Sequence, residues 1–449
     1  MKDHIFREYD IRGVVPEDLN DVTSLRLGRA IGTYLVSKGA ARISLGRDCR
    51  LSSPGLASSL TEGLLGAGID VCDIGVVPTP LLYYSIHTLD VLGGIQVTGS
   101  HNPPEYNGFK LCLGTASIYG KEIQKIKDIF ESGRFYEQSG SLTKASVTAS
   151  YTDELLRRTS MGKRKISAVI DAGNGVGGQV ALKAYRDLGC DITGLFCDPD
   201  GSFPNHHPDP TIPENLHSLR QEVVKRSADL GIAFDGDADR IGVIDEKGEI
   251  IWGDQLMIIF SRSLLARHPG ATIIGEVKCS QALYDDIEKN GGRAIMWKAG
   301  HSLIKAKMKE EKALLAGEMS GHIFFAERYF GFDDAVYAGA RLLEILSSTD
   351  RPVSALLAGV PRMINTPEIR MDCPEEKKFK VVKELVEDFK RDYKVIDVDG
   401  ARVIMDGGWG LVRASNTQPV LVLRFEAANQ DRLAQIRDLI MGRVVEKMA

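Results

Sequence analysis

The stretch Gly94-Ile95-Gln96-Val97-Thr98-Gly99-Ser100-His101-Asn102-Pro103-Pro104-Glu105-Tyr106-Asn107-Gly108 runs from an alternating apolar strand into a loop that presents one hydroxyl. Ile95 and Val97 share a face of the strand. Gly99, Asn102-Pro103-Pro104 and Asn107-Gly108 interrupt regular structure on both sides of Ser100. The hydroxyl therefore falls at a strand's carboxyl end, where open α/β sheets place their ligands. An ordinary polar turn is the plain reading of a lone Ser-His pair; the rest of the chain displaces it.

Working outward, the pattern occurs three times. Ile43-Ser44-Leu45-Gly46 is a short strand followed by the loop Arg47-Asp48-Cys49-Arg50, a helix from about Pro54, the strand Gly68 to Asp73, and the strand that ends at Ser100. Ile166 to Ile170 opens the second copy, with Asp171-Ala172-Gly173-Asn174-Gly175, a helix, the strand Cys190 to Leu195, and a third strand ending at Asp235. Ala271 to Gly275 opens the third copy, which continues through Arg293 to Trp297 and the strand Ala313 to Ala316, ending at Gly317-Glu318. Strands alternating with helices at this spacing predict mainly parallel, mixed sheets between helices. Three side-by-side copies would bring a serine loop, a carboxylate loop and a Glu-Met-Ser-Gly-His loop to one cleft.

The two ends differ from the repeats. Phe6 to Gly13 mixes aromatic and charged residues and reads as a surface lead into a turn, followed by a helix over Asp21 to Lys38 with Leu25, Leu27, Ile31, Tyr34 and Leu35 on one face. After Pro367, a helix from Glu375 to Arg391 precedes short strands near Val395 to Val398, Arg402 to Met405, Gly410 to Arg413 and Val420 to Phe425, and a last helix from about Asn429. That order suits a small α+β domain with an antiparallel sheet. The expected fold is α/β: three related α/β domains over 1–148, 149–252 and 253–365, plus a small α+β carboxyl-terminal domain over 366–449.

Composition excludes several functions. The 449 residues exceed what one core serves, and 43% apolar with 26% charged residues describes a soluble protein. A net charge of −5 without a basic, aromatic-laced stripe argues against nucleic acid. No apolar run reaches membrane-spanning length, and the charged amino terminus lacks the core of a signal peptide. Seven scattered cysteines without a Cys-x-x-Cys pair suit a reducing compartment, so a cytoplasmic location is expected.

The chemistry gathers in four loops. In Asp235-Gly236-Asp237-Ala238-Asp239-Arg240, carboxylates at i, i+2 and i+4 between apolar strands suit one hard cation, with magnesium the expected ion. A calcium EF-hand loop is the rival, since Glu246 falls at its twelfth position. It fails on Arg240 in place of the turn glycine and on flanking strands where helices are required. A phosphate on Ser100 would complete such a metal site, and Arg240 could steady it. The serine loop lacks the Gly-x-Ser-x-Gly elbow, and neighbours on an extended chain point apart, so Ser100 and His101 are not expected to meet as a hydrolytic pair. Arg413-Ala414-Ser415-Asn416-Thr417-Gln418-Pro419 concentrates donors suited to a phosphate dianion or to a plain hairpin. Glu318 and Ser320 would face sugar hydroxyls from one side of an extended segment, with Lys278, His301 and His322 adding cationic or proton-carrying groups.

Taken together, Phe6–Gly13, Gly46–Pro54, Thr98–Lys110, Asp235–Arg240, Gly300–Lys305, Gly317–His322 and Arg413–Pro419 make the chain resemble the α-D-phosphohexomutases, in their bacterial phosphomannomutase/phosphoglucomutase branch. The resemblance implies a heart-shaped arrangement of four domains. It also implies interconversion of hexose 6-phosphate and hexose 1-phosphate, for glucose and mannose, through a phosphoserine and a hexose 1,6-bisphosphate intermediate. Ser100 matches the phosphorylated serine, and with Asp235, Asp237 and Asp239 it would hold one magnesium ion per active site. Glu318 and Ser320 match the sugar-binding pair, and Arg413, Ser415, Asn416 and Thr417 the phosphate loop. Tyr9, Arg12, Lys110, Arg240, Lys278, His301 and His322 fall at positions like the family's other active-site groups. Ser100, Arg12, His101, Lys110, Arg240 and His322 are the catalytic candidates, with Lys110, Arg12 or His322 moving the proton. Glucose 1,6-bisphosphate would serve as activator, hexose phosphates would be the only partners, and the chain would be a monomer or weak dimer. Cys49 departs from the glycine that commonly follows Arg-Asp in relatives. A magnesium-dependent sugar phosphatase, a sugar-phosphate binding protein and a phosphoglucosamine mutase are the competing expectations.

Overall fold

A computed structural model describes residues 3–415 and 418–448; Asn416 and Thr417 of the expected phosphate loop lie outside the described residues. The three repeats fold into three sheets with one shared topology. In the first, Arg42–Arg47 pairs in parallel with Asp70–Val76 on one side and Gly93–Val97 on the other, and Tyr106–Leu113 runs antiparallel beside Gly93–Val97. Ser167–Asp171, Asp191–Leu195, Leu230–Phe234 and Ile241–Asp245 repeat this arrangement, as do Thr272–Glu276, Arg293–Trp297, Leu315–Gly317 and Ile323–Phe325. The parallel strands are nearly continuous apolar runs because helices cover both faces, as in Ala168, Val169 and Ile170, all buried.

Each copy therefore ends in a hairpin whose turn is the polar loop. In the first and third copies the returning antiparallel strand, Tyr106–Leu113 or Ile323–Phe325, goes beyond the sequence expectation, and the third strand of the last copy is Leu315–Gly317, not Ala313 to Ala316. Phe6 to Gly13 is also corrected. Ile11–Val14 forms an antiparallel edge strand against Tyr106–Leu113, with Phe6 and Ile11 buried beneath it. The helix Asp21–Ser37 starts at the Asn20 cap and buries Leu27, Ile31, Tyr34 and Leu35, while Leu25 is only half-buried.

The small domain is an antiparallel sheet covered by the helices Glu375–Phe389 and Gln430–Met448. Its strands Lys394–Ile396, Ala401–Met405, Gly408–Ala414 and Val420–Ala427 follow the expected order, and two strands beyond the expectation, Ile364–Asn365 and Ile369–Asp372, pair antiparallel with Val420–Ala427. Arg402 leaves this sheet to enter the third repeat, donating to the carbonyls of Val277 (2.6 Å) and Cys279 (2.8 Å) while its guanidinium lies 3.7 Å from the Trp409 ring centre. One apolar core runs continuously through the three α/β repeats, and the small domain has its own. Among the described residues no helix is long and apolar enough to cross a membrane.

Asp334 ties that shared core together. It caps the helix Ala335–Ser347 by accepting from the Tyr337 amide (2.8 Å), and it accepts the hydroxyls of Tyr151 (2.9 Å) and Tyr329 (2.7 Å). Burial outweighs these bonds and pushes its carboxyl up to about 6. A folded-state value above the unfolded one means that the stability Asp334 contributes is complete below about pH 4 and is lost as pH rises through 6, by about 3 kcal/mol at most. Asp334→Asn removes that dependence. In urea unfolding, the stability of the variant relative to the parent should rise by about 1–2 kcal/mol between pH 5 and pH 7.5. Parallel pH profiles for the two proteins would refute the assignment.

Candidate active site

The serine loop is held by one buried guanidinium. Arg50 donates to the carbonyls of Ser100 (2.8 Å), Asn102 (2.5 Å), Pro103 (2.6 Å) and Tyr106 (3.0 Å). Asp48 lies against its Nε at 3.3 Å and accepts from the Gly99 amide at 3.0 Å. Gly99 is needed here because a Cβ would stand 2.4 Å from Arg50 Nε. The clamp keeps Ser100 in the left-handed region at φ 49°, a conformation that costs free energy for a non-glycine residue. This corrects the expectation that Ser100 and His101 point apart. The premise was an extended chain, and the left-handed turn instead brings Ser100 Oγ within 3.1 Å of His101 Nδ1. Burial, with Arg240 and Arg12 nearby, holds the imidazole well below its usual range and hence neutral. Since Ser100 Oγ donates to Asp235 Oδ2 at 2.8 Å, the geometry suits a His101 tautomer that donates from Nδ1.

Asp235, Asp237 and Asp239 are fully buried, and their ligand atoms lie within 4.8 Å of one another. The tight turn is made by Ala238 at φ 57° and by Gly236, where a Cβ would stand 2.5 Å from the Ser100 carbonyl oxygen. Lys110 Nζ bonds Asp237 at 2.7 Å and also Asp239, and Thr79 Oγ1 donates to Asp237 at 2.5 Å. Burial alone would lower the lysine pKa, but the carboxylates hold it above the ordinary lysine range. Burial and the two neighbouring carboxylates push Asp235 the opposite way, well above the usual carboxylate range. Asp237 Oδ1 and Asp239 Oδ1 have no hydrogen-bond partner. Three buried carboxylates this close, two of them with an oxygen free of hydrogen bonds, fit a hard divalent cation, so the residues present suit magnesium.

A cavity of about 1060 Å³ opens above this loop. Tyr9, Arg12, Ser100, His101, Lys110, Arg240, Lys278, His301, Glu318, Ser320, His322, Arg413 and Ser415 all line it, while the three aspartates lie beneath. The second and third hairpins meet there through an Arg240–His322 backbone bridge and an Arg240 Nε to His322 Nε2 contact of 3.0 Å. Tyr9 donates to the Ala299 carbonyl at 3.0 Å, and Glu318 accepts from the Gly300 amide at 2.7 Å. At the far end Lys278 faces Glu368 at 3.4 Å. Arg413 donates to Asp399 at 2.9 Å, and Asp399 also accepts from the Ala299 amide at 3.1 Å, joining the small domain to the third repeat. The Ser415 amide donates to the Val420 carbonyl at 3.0 Å, and its hydroxyl accepts from the Gln418 amide at 3.1 Å.

Several residues escape sequence reading. Arg50 and Asp48 look like loop residues until the fold places their side chains behind Ser100. Asp333, fully buried, lies 3.3 Å from His322 Nδ1, 3.4 Å from His301 Nδ1 and 3.0 Å from Lys305 Nζ. Its only local signal is the Asp333-Asp334 pair before an apolar helix. Arg12 donates to Asn102 Oδ1 at 3.0 Å and pairs with Asp10 at 2.6 Å, tying the edge strand to the serine loop. Cys49 has no left-handed backbone, so no glycine is required there. Its half-buried thiol points to the Asn174 carbonyl, and desolvation with Asp48 nearby pushes it up to about 12.

Four family models match in succession: "Phosphoglucomutase/phosphomannomutase, alpha/beta/alpha domain I" over residues 3–137, domain II over 149–248, domain III over 252–363 and the C-terminal domain over 368–443. A phosphomannomutase/phosphoglucomutase of Pseudomonas putida is 47% identical over 98% of this chain and 95% of its own length. A phosphoglucomutase of Neisseria gonorrhoeae is 47% identical over 97% of this chain and 95% of its own. The crystal structure of a phosphoglucomutase/phosphomannomutase family protein from Burkholderia thailandensis superimposes with a TM-score of 0.94 at 44% identity, covering 99% of this chain and 97% of that one. With its tripled α/β hairpin, its buried carboxylate loop beneath a serine, and matches along nearly its whole length, the chain belongs to the phosphoglucomutase/phosphomannomutase family of α-D-phosphohexomutases.

Proposed function

We propose that this protein interconverts hexose 6-phosphate and hexose 1-phosphate, of glucose and mannose, through phosphoserine at Ser100 and a hexose 1,6-bisphosphate. The observation that carries the reading is Ser100 Oγ at 2.8 Å from Asp235, in a turn whose other two carboxylates hold unpartnered oxygens. The phosphoserine P–O bond breaks as a bond forms from phosphorus to the free sugar hydroxyl, whose proton leaves to a base. The bisphosphate turns over, and its second phosphate returns to Ser100, regenerating the phosphoserine and releasing the isomer. Glucose 1,6-bisphosphate would therefore also prime the unphosphorylated protein.

In such transfer positioning and electrostatics supply most of the catalysis. Magnesium held by Asp235, Asp237 and Asp239 would draw charge from the phosphoryl oxygens. Arg240 and Arg12 add fixed positive charge, and Arg50 sets the angle of the serine. Lys110, held as a cation by its aspartates, suits stabilisation of charge on the leaving oxygen through a hydrogen bond; His322 faces Asp333 through Nδ1 and Arg240 through Nε2, and would take the hydroxyl proton only as Arg240 turns to the phosphate. Glu318 and Ser320 would take sugar hydroxyls, with Tyr9, His301 and Lys278 flanking. Arg413 and Ser415, with Asn416 and Thr417, would hold the phosphate not in transfer.

Domain limits near 148 and 252 are supported by sheets whose last strands end at Lys144 and Ile251, whereas Ile364–Asn365 already pairs with Val420–Ala427 of the small domain and favours a third limit just before residue 364 instead of at 365. Seven free cysteines support a reducing, cytoplasmic setting, and a site lined within one chain suits a monomer or weak dimer.

Three experiments follow. Intact-protein mass spectrometry after incubation with glucose 1,6-bisphosphate should show one added phosphoryl group that Ser100→Ala lacks; equal labelling of the variant removes the nucleophile. Gly236→Ala forces a methyl against the Ser100 carbonyl and should lower kcat/KM for both 1-phosphates by about a hundredfold, as misplacements near 1 Å do. A fully active variant would show that the two loops need not approach. Arg413→Ala should raise KM for glucose 1-phosphate far more than it slows Ser100 phosphorylation by a small phosphoryl donor. Unchanged sugar-phosphate affinity would assign Arg413 to the Asp399 contact alone.

A further inference from the structure

A second cavity, of about 460 Å³, lies behind the active site in the seam between the first and third repeats. One wall is the helix Thr79–Thr88, through Tyr83, Ile86 and His87, and the other is the carboxyl half of the helix His301–Glu311. Lys305, Lys309 and Lys312 line it, and no carboxylate does. Glu310 and Glu311, the nearest acids in sequence, turn away to Lys307 at 2.8 and 2.7 Å. Lys309 and Lys312 are exposed and form no ion pair among the described residues. Thr115 and Ser117 add two hydroxyls, and most of the remaining lining is apolar or aromatic, with Met308, Leu314, Ala326, Phe330 and Phe332 and the exposed His87 ring tilted over Phe330 at 4.6 Å.

We propose that this seam binds an organic polyanion of nucleoside diphosphate size, its ring system against Met308, Phe330 and Phe332 and its charges on Lys309 and Lys312. Unopposed ammonium groups at the rim of an apolar recess recognise that combination, and the volume falls in the range of small-ligand sites. The site is distinct from the catalytic cavity, and the proposal that a ligand binds there does not depend on the reaction assigned above. The two are linked by one helix face. His301, Lys305 and Lys309 succeed one another at helical spacing, and Lys312 follows at the left-handed end of the helix, so the row that starts in the active site ends in the seam. Lys305 faces both ways: its Nζ sits 4.1 Å from the Tyr83 ring centre and bonds Asp333, which faces His301 and His322. An anion in the seam draws Lys305 away from Asp333 and so alters the groups that meet the substrate. Coupling of this kind is reciprocal.

Calorimetric titration of the full chain with ADP tests the site, with inorganic pyrophosphate as a probe of charge alone. ADP should bind the parent, bind Lys309→Ala/Lys312→Ala at least about tenfold more weakly, and bind Arg413→Ala within about twofold of the parent. Pyrophosphate should bind the parent at least about tenfold more weakly than ADP, since it leaves the apolar wall uncovered. ADP should also slow sugar-phosphate turnover by the parent and not by the double variant. No heat with ADP, equal ADP affinity in the double variant, or loss of binding only in Arg413→Ala would overturn the site. Equal affinity for pyrophosphate would reduce it to a charged surface, and binding without any change in turnover would overturn the coupling through Lys305.

Discussion

Three carboxylates at full burial within 4.8 Å of one another are a structural liability, and much of the molecule is arranged around containing it. Burial of an uncompensated carboxylate is strongly unfavourable, and three together repel one another. Containment comes from several places in the chain. Lys110 arrives from the returning strand of the first repeat, Thr79 from a helix start in the same repeat, and backbone amides of the loop itself bond Asp235 Oδ1 at 3.1 Å. Two oxygens still lack partners, which leaves room in the charge balance for a cation.

The loops reach one another because the same supersecondary unit is used three times. In each, a parallel strand turns back into an antiparallel one, and the turn carries most of the chemistry, with Lys110 on the first returning strand beside it. One carries a hydroxyl, one carboxylates, and one a carboxylate, a hydroxyl and an imidazole. Backbone contacts then stitch turn to turn: Thr79 amide to Asp237 carbonyl at 2.9 Å, Ile241 amide to Gly321 carbonyl at 3.0 Å. Rigid sheets behind variable turns suit a site that must hold several groups in register.

What can be read in the residues is what repeats or punctuates. The strand–helix periodicity, the Asp-x-Asp-x-Asp spacing and the glycine-broken serine loop are local patterns, and they located the three sheets and the residues that line one cavity. The returning strand Tyr106–Leu113 is hidden because Asn107-Gly108, which reads as a break, lies inside it, and Ile323–Phe325 because three residues are too few to show an alternation. Ser100 beside His101 was misread because strand alternation does not survive a left-handed residue. Arg50, Asp48 and Asp333 act across long sequence separations, through a guanidinium under a loop or a carboxylate between two imidazoles, and nothing in their immediate neighbours announces it.

The clamp made by Arg50 bears on how the cavity handles its cargo. Four carbonyls on one guanidinium leave the serine loop little freedom to swell or retreat, so adding a phosphate to Ser100 changes the cavity's charge and hardly its outline. If Arg413 holds a second phosphate, as proposed above, the enclosed volume then favours a constant population of two phosphates. Either one rides on the serine and one on the sugar, or both ride on the sugar. On the proposed function, turnover would be a permutation of a conserved pair, and a molecule that loses one member of the pair to water would stall until a doubly phosphorylated sugar restores it.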